Sequence, residues 1–138
     1  MKEKQIGMAF SDENEPKEEW TQLHKLITDR GSRYSVTAIK VHNQKELKAA
    51  LAKLKSNKKF AKATHNSYAL RVQKDTQIFE AKNDDGETGA GMVILRQLRK
   101  GNWVNCLVIV TRWYGGTKLH ADRFKHVQDA SRAILQAL

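Results

Sequence analysis

The sequence has 138 residues and one main hydrophobic pattern, enough for a single domain that buries roughly two-thirds of its unfolded surface. Its net charge of +10 is unevenly distributed. Residues 1–30 hold 5 Lys/Arg against 7 Asp/Glu, whereas residues 31–138 hold 20 against 8. The basic charge of residues 31–138 favours nucleic acid, the ribosome or an acidic protein as partner. No run approaches the roughly 20 apolar residues of a membrane span and no signal-peptide core follows Met1, so we expect a cytoplasmic protein with no membrane contact.

The N-terminal region has the weakest pattern of the chain. Residues 1–15 carry several charges without periodicity, and we interpret them as a loose tail. Pro16 suits the first turn of a helix. Trp20, Leu23 and Ile27 are spaced for one face of that helix, although Ile27 could equally begin an extended segment.

The next two elements have clearer signals. Tyr34–Val41 alternates small, β-branched and aromatic residues, which predicts a strand. Asn43 can cap a helix with Glu46 at the third position, and the expected buried stripe is Leu47, Ala50, Leu51 and Leu54. Lysines cover the rest of this region, namely Lys45, Lys48, Lys53, Lys55, Lys58, Lys59 and Lys62. A lysine-coated helix is usually only solvated, so we expect it to contribute to the long-range field more than to a specific contact.

The C-terminal half predicts a hairpin, two helices and a central strand. Ser67–Val72 and Gln77–Ala81 have the pattern of paired strands. A short helix over Met92–Lys100 precedes the apolar strand Val104–Trp113, and the last helix begins at about Asp122. The resulting order β-α-β-β-α-β-α indicates an α+β fold, with a mixed β-sheet and helices packed on one face.

The single cysteine, Cys106, lies inside the most apolar run. We expect a buried, inert thiol there, because its neighbours offer no base to activate a nucleophile. No Ser-His-Asp or Cys-His set is suggested by spacing elsewhere, which makes a hydrolase or metal-dependent enzyme the weakest functional class.

Two glycine-containing segments are the most informative part of the sequence. The first glycine loop is Asn83–Gly91 and the second glycine loop is Thr111–Leu119. Each connects an extended run to a helix, at a place where backbone N–H groups and charged side chains gather without a packed core to explain them.

Four ordered motifs resemble the IMPACT family, which has bacterial, archaeal and eukaryotic members. They are Asp29–Tyr34 (DRGSRY), Ala63–Ala69 (ATHNSYA), Asp84–Thr88 (DDGET) and Val108–Gly116 (VIVTRWYGG), followed by Leu119. The match extends from about residue 27 to the C-terminus. We therefore expect residues 1–26 to form an N-terminal tail with a short helix and residues 27–138 to form an IMPACT-like domain.

The segment after the second glycine loop distinguishes branches of the family. Ala121–His126 looks like the eukaryotic branch, whose C-terminal domain this chain resembles, and His120 stands where the family usually has glycine. In eukaryotic members an RWD domain precedes the matching region and carries much of the activator binding. Because only residues 1–26 precede the match here, the chain is either an excised C-terminal domain or a short family member.

The resemblance implies a fold and a role in translation. The fold would be like the second domain of a small-subunit ribosomal protein. The role would be that of a non-enzymatic regulator, which restrains the kinase that phosphorylates a translation initiation factor during amino-acid starvation. IMPACT proteins do so by competing for the kinase's large ribosome-associated activator, and a link to monomeric actin is also associated with the family.

The acidic residues of the first glycine loop allow two interpretations. Asp84, Asp85 and Glu87 could supply oxygen ligands to a hard cation, with His65 nearby. We favour the alternative, in which Asp85 makes a turn and Glu87 or Thr88 helps to cap the next helix, because a calcium loop needs more ligands. We therefore predict no metal and no cofactor.

The cationic and aromatic residues around the second glycine loop also have alternatives. Arg112 and its basic neighbours could meet a phosphate, or Arg112 could pair with a carboxylate of the first glycine loop. Trp113 and Tyr114 resemble a stacking platform for single-stranded nucleic acid, although aromatic residues at a strand end more often pack beneath a helix.

The predicted binding surface combines both glycine loops with the start of the last helix. Its residues are Asp84, Asp85, Glu87, Arg112, Trp113, Tyr114, Gly115, Gly116, Lys118, Asp122, Arg123, Lys125 and His126. The first hypothesis is that this surface contacts a protein or the ribosome. The second is that it binds RNA, and we predict no catalytic residue.

Overall fold

The computed structural model describes residues 13–138. Within them the chain forms five strands and four helices: β1 Trp20–Asp29, β2 Ser32–Lys40, α1 Gln44–Lys55, α2 Lys58–Ala61, β3 His65–Lys74, β4 Gln77–Asn83, α3 Ala90–Lys100, β5 Cys106–Trp113 and α4 Asp122–Ala137. The loose tail expected over residues 1–15 lies mostly outside this range. None of the described helices has the length and apolar character needed to cross a bilayer.

The α+β class is confirmed, and the sheet has the order β1-β2-β5-β3-β4. Each neighbouring pair of strands is antiparallel, so the expectation of a mixed sheet is corrected to an antiparallel one. The predicted hairpin is confirmed as β3 and β4, and β5 is confirmed as the central strand. Because β5 runs between β2 and β3, it is hydrogen-bonded along both of its edges.

The sheet carries helices on both faces, which corrects the expectation of a single helical layer. Successive side chains of a strand point to opposite faces, and β5 is apolar on each. One core lies between the sheet and α3 and α4, and includes Val36, Val108 and Ile134. The second core includes Ile109 and lies under α1 and α2, whose buried residues are Leu47, Ala50, Leu54 and Phe60. A strand that is apolar on both faces requires cover on both.

The helix predicted after Pro16 is wrong, because this segment is strand β1. Leu23 pairs with Val36 and Ile27 with Tyr34, so four steps along β1 match two steps along β2. The two extra residues of β1 are absorbed in a bulge. Residues four apart share a face in a strand as they do in a helix, so the spacing of Leu23 and Ile27 fits both, whereas Trp20 packs against the core on the opposite side of the sheet.

Cys106 is fully buried in β5, as expected. Burial raises the pKa of its thiol to about 12, because a thiolate would lose its hydration in the apolar core. The side chain therefore behaves as a small apolar residue of the α3–α4 core.

Candidate functional site

The antiparallel topology brings the four sequence motifs to one end of the sheet. The last residues of β5 pair with the first residues of β2 and β3, so that Arg112 lies opposite both Tyr34 and His65. The end of β4 lies beside the start of β3, where Tyr68 pairs with Asn83. Segments distant in sequence thus meet at the two glycine loops.

A buried ion pair connects the two glycine loops. Arg112 Nη1 donates to both carboxylate oxygens of Glu87, at 3.0 and 3.1 Å, and the side chains are only 6% and 5% exposed. Nη2 donates to Ser32 Oγ at 3.2 Å, and Arg123 Nε lies 3.6 Å from Glu87 Oε2. The predicted tie between Arg112 and the first glycine loop is therefore confirmed, with Glu87 as the partner.

Two tyrosine rings lie near the Arg112 guanidinium. The ring centres of Tyr34 and Tyr114 are 5.7 and 5.6 Å from its central carbon. Tyr34 is fully buried and burial raises its pKa to about 12, whereas Tyr114 is 47% exposed. The guanidinium is thus fixed by hydrogen bonds and aromatic neighbours, and Tyr114 extends from it to the surface.

The other two carboxylates of the first glycine loop hold its backbone. Asp84 accepts hydrogen bonds from the backbone N–H groups of Gly89 and Gly91, at 2.9 and 2.8 Å, and thereby caps α3. The Gly89 bond in particular lowers the pKa of Asp84. Asp85 Oδ2 accepts from the backbone N–H of Asn66 at 2.7 Å. These bonds favour the turn-and-cap interpretation, with Asp84 as the cap where Glu87 or Thr88 was expected, and no metal-binding cluster occurs among residues 13–138.

The second glycine loop rests directly on the turn between β1 and β2. The backbone N–H of Gly115 donates to Ser32 Oγ at 3.2 Å. A Cβ added to Gly115 would lie 2.0 Å from the carbonyl carbon of Gly31, so only glycine allows this approach. The Ser32 hydroxyl therefore accepts hydrogen bonds from both Arg112 and the backbone of the second glycine loop.

The same turn is joined to the start of α4 by charged side chains. Asp29 accepts from Arg30 Nε at 3.0 Å, and its Oδ2 lies 2.7 Å from His126 Nε2. The hydrogen bond from Arg30 is the largest cause, followed by that with His126, and together they lower the pKa of Asp29 to about 2. Arg30 also pairs with Asp122, and the His126 ring lies 5.3 Å from that of Tyr34.

The residues of the predicted binding surface are partly exposed and partly buried in the structure. Tyr114, Gly115, Gly116, Lys118, Asp122 and Lys125 are exposed, whereas Glu87 and Arg112 are buried beneath them. Lys125 lies beside Phe124 at a groove of about 510 Å³ between α3 and α4. Trp113 packs edge-on against Phe60 with ring centres 5.2 Å apart, which places it on the α1–α2 side of the sheet.

Four further residues belong to this cluster although they were not named as site residues: Asp29, Arg30, Ser32 and Tyr34. All belong to the first of the four motifs, which was used for the family resemblance alone. Only the pairing of β2 with β5 and the packing of α4 bring them beside residues some 80 to 97 positions later. Ser32 and Tyr34 contact Arg112, whereas Asp29 and Arg30 contact His126 and Asp122 of α4.

Comparison with known proteins identifies similar sequences. A family model described as the Impact N-terminal domain matches residues 30–135. Protein IMPACT of Mus musculus is 42% identical over 137 residues, which cover 96% of this chain and 43% of the relative. Protein IMPACT of Homo sapiens is 46% identical over 111 residues, which cover 79% and 35%. The chain thus spans less than half the length of these relatives. The family description names an N-terminal domain, whereas the resemblance had indicated a C-terminal one.

Two solved structures are also similar. That of the two-domain translational regulator Yih1 has a TM-score of 0.59 and 35% sequence identity, and the match covers 99% of this chain and 54% of the other. The crystal structure of a hypothetical protein has a TM-score of 0.74 at 21% identity, covering 85% and 57%. The second likeness shows the fold alone.

Proposed function

Because this chain belongs to the IMPACT family, we propose that it regulates translation by binding a protein or ribosomal partner, without catalysing a reaction. The observation that carries the proposal is the exposed second glycine loop above the buried Arg112–Glu87 pair. A loop fixed in this way loses little conformational entropy when a partner binds. The similarity to the translational regulator Yih1 supports the same role.

The partner we propose is the ribosome-associated activator of the amino-acid-starvation kinase. By occupying the activator, the chain would keep the kinase from it and so restrain phosphorylation of the initiation factor. Tyr114 is the expected anchor, because exposed tyrosines dominate many interfaces. Lys118 and Lys125 would complement an acidic surface around it.

A competition assay tests this proposal. The kinase is bound to immobilised activator, the chain is titrated in, and the kinase that remains bound is measured. We expect displacement by the unmodified chain. Tyr114→Ala should require at least about thirtyfold more protein for the same displacement, because loss of an aromatic anchor costs about 2 kcal/mol or more.

Phe79→Ala provides the matched control. Phe79 is 52% exposed on β4 and Tyr114 is 47% exposed, so the two changes remove aromatic surface of similar accessibility from different places. Phe79→Ala should compete like the unmodified chain, and both variants should be checked by thermal unfolding. Failure of the unmodified chain to displace the kinase, or equal potency of the two variants, would count against the proposal.

RNA binding by the same surface is the second candidate. It is favoured by the +12 charge of residues 31–138 and by Lys118, Arg123 and Lys125 near the loop. A phosphate-led complex would weaken steeply with salt, and Lys118→Ala/Lys125→Ala would reduce that salt dependence. A protein contact centred on Tyr114 would depend less on salt.

A further inference from the structure

A second concave site lies on the α1–α2 side of the sheet and includes Trp113 from the start of the second glycine loop. We call it the Trp113 pocket. It has a volume of about 280 Å³ and is lined by His24, Lys25, Arg33, Lys59, Lys62 and Trp113. Five of these six residues are basic and the sixth is a tryptophan. Four chain segments supply them: the β1 bulge, the start of β2, the region of α2 and the end of β5.

The β1 bulge places His24 and Lys25 at the Trp113 pocket. Lys25 has a φ of 51°, a left-handed conformation that is unfavourable for a side chain of this type. The buried hydroxyl of Ser35 holds it, since Ser35 Oγ accepts from the Lys25 backbone N–H at 2.8 Å and lies 3.1 Å from His24 Nδ1. Backbone strain retained in this way is typical of sites that position functional groups.

Trp113 attaches α2 to the sheet and thereby positions two further cations. Its Nε1 donates to the backbone carbonyl of Lys59 at 2.9 Å, and its ring packs edge-on against Phe60. The His24 ring makes a similar perpendicular contact with Trp113, with centres 6.1 Å apart. The segment that carries Lys59 and Lys62 is therefore fixed beside the Trp113 ring.

The electrostatics of the Trp113 pocket are dominated by positive charge. The pKa of His24 is lowered by its partial burial and then by the charges of Lys25 and Lys59. Protonation of His24 is unfavourable where the neighbours are already cations. An anionic ligand would remove this repulsion.

We propose that the Trp113 pocket binds one nucleotide of single-stranded RNA, with the base against Trp113 and His24 and the phosphate among Lys25, Arg33, Lys59 and Lys62. Recognition of single strands combines aromatic stacking with a cationic groove, and this pocket offers both. Its volume lies at the lower end of the range for ligand sites, which suits a single nucleotide unit. The Trp113 ring packs against Phe60 of α2, whereas the neighbouring Tyr114 ring lies near Arg112, so the two proposed contacts use different rings.

The test is the fluorescence anisotropy of a short labelled poly(A) RNA at about 50 and 200 mM salt. Arg33→Ala/Lys62→Ala removes two exposed cations of the pocket. We expect binding about tenfold weaker at low salt and a salt slope smaller by up to about 0.7, which corresponds to the loss of one single-strand phosphate contact. RNA should also quench tryptophan fluorescence, and Trp113→Phe should remove that quenching.

One double variant with the same change of charge is the control. Lys45→Ala/Lys48→Ala lies on α1 and should bind RNA like the unmodified chain, whereas Lys118→Ala/Lys125→Ala lies at the second glycine loop and α4 and tests whether RNA binds there instead. Thermal unfolding of each variant confirms that it is folded. An equal loss of RNA affinity in the pocket and α1 variants would indicate a general charge effect and contradict the proposal. A loss of RNA affinity in the loop variant alone would place the RNA at the second glycine loop and would also contradict it.

The identity of the ligand is tested in the same assay. Adenosine monophosphate and a phosphotyrosine peptide are added as competitors, because each carries a phosphate beside a ring. The proposal is overturned if either binds as tightly as the RNA, or if the RNA does not bind at low salt. If both competitors bind more weakly than the RNA, the result supports binding of a nucleotide that belongs to a single strand.

Discussion

Arg112 connects more of the candidate site than any other side chain described above. It bonds to Glu87 and Ser32 and lies between the rings of Tyr34 and Tyr114. The cost of removing both charges from water is offset only while both are present with good hydrogen bonds. The ion pair therefore makes the two glycine loops interdependent.

We predict that Glu87→Gln lowers the free energy of unfolding by about 3 kcal/mol. The change leaves Arg112 buried without its anionic partner, and breaking such a pair from one side costs about 3–5 kcal/mol. We place the value at the lower end, because the amide oxygen can still accept a hydrogen bond. Urea denaturation of the variant measures the difference.

Asp122→Asn is the control for this prediction. Its carboxylate is 60% exposed and pairs with Arg30 at the surface, where such pairs contribute about 0–1 kcal/mol. If Glu87→Gln cost no more than Asp122→Asn, the buried pair would not be what holds the glycine loops together.

Asp29 gives a prediction about acid stability. Its pKa is lowered to about 2 in the folded protein by Arg30 and then His126, against an ordinary value of 3.8. A lowered carboxyl pKa stabilises the fold above the unfolded value, and the contribution is lost as the pH falls through the folded pKa. Asp29→Asn should therefore have a lower Tm than the unmodified chain at pH 6, and the difference should vanish between about pH 4 and 2.

Asp75→Asn is the comparison for the acid series. Asp75 lies exposed in the β3–β4 turn with a φ of 58°, a conformation that asparagine accepts. Its Tm should follow that of the unmodified chain at every pH. A Tm difference for Asp29→Asn that stayed constant down to pH 2 would show that its charge is not responsible.

At the level of elements, the contact between Gly31 and Gly115 sets the position of the second glycine loop. A methyl group on Gly115 would meet backbone atoms of the β1–β2 turn, which cannot rotate away as a side chain can. The turn, the loop and the start of α4 therefore form one unit, joined by Ser32 and by the pairs of Asp29 and Arg30.

We predict that Gly115→Ala displaces this loop and lowers the free energy of unfolding by about 3 kcal/mol, the upper end for overpacking. Gly116→Ala is its control. Position 116 has open space around it but a φ of 92°, so it should cost only about 1–2 kcal/mol from strain. Urea denaturation gives both values, and a smaller cost for Gly115→Ala would mean that the contact with Gly31 yields easily.

The elements that the sequence predicts correctly are those with local signals. The α1 cap is one example, because Asn43 accepts from the backbone N–H of Glu46 at 2.8 Å as the capping pattern requires. β1 was missed because the four-residue spacing of Leu23 and Ile27 fits one face of a helix as well as of a strand, and only pairing with β2 identifies it as a strand. Local periodicity cannot reveal a bulge that depends on a partner strand.

The candidate site follows the same rule. Its ion pair was predictable, since a buried arginine needs a carboxylate and the first glycine loop offers three. The packing of Trp113 was predictable too, because an aromatic residue at a strand end usually packs beneath a helix, and Trp113 packs against Phe60 of α2. Pairing of β5 with β2 and β3 decides which side each ring occupies.

At the scale of the whole molecule, two helical layers enclose a sheet whose central strand is β5. The proposed protein contact lies at the second glycine loop and α4, and the Trp113 pocket lies on the α1–α2 side. The basic charge of residues 31–138 surrounds both. The two proposed contacts therefore face different sides of the same sheet.

The buried position of Cys106 in β5 makes the alkylation rate of its thiol a measure of how the fold opens. The sequence has one thiol, it is fully buried, and its pKa of about 12 keeps it protonated at neutral pH. Alkylating reagents then react in conformations where the core between the sheet and the α3 and α4 helices has opened. At a fixed pH, the labelling rate of this single sulfur atom therefore reports opening of that core without an added tag.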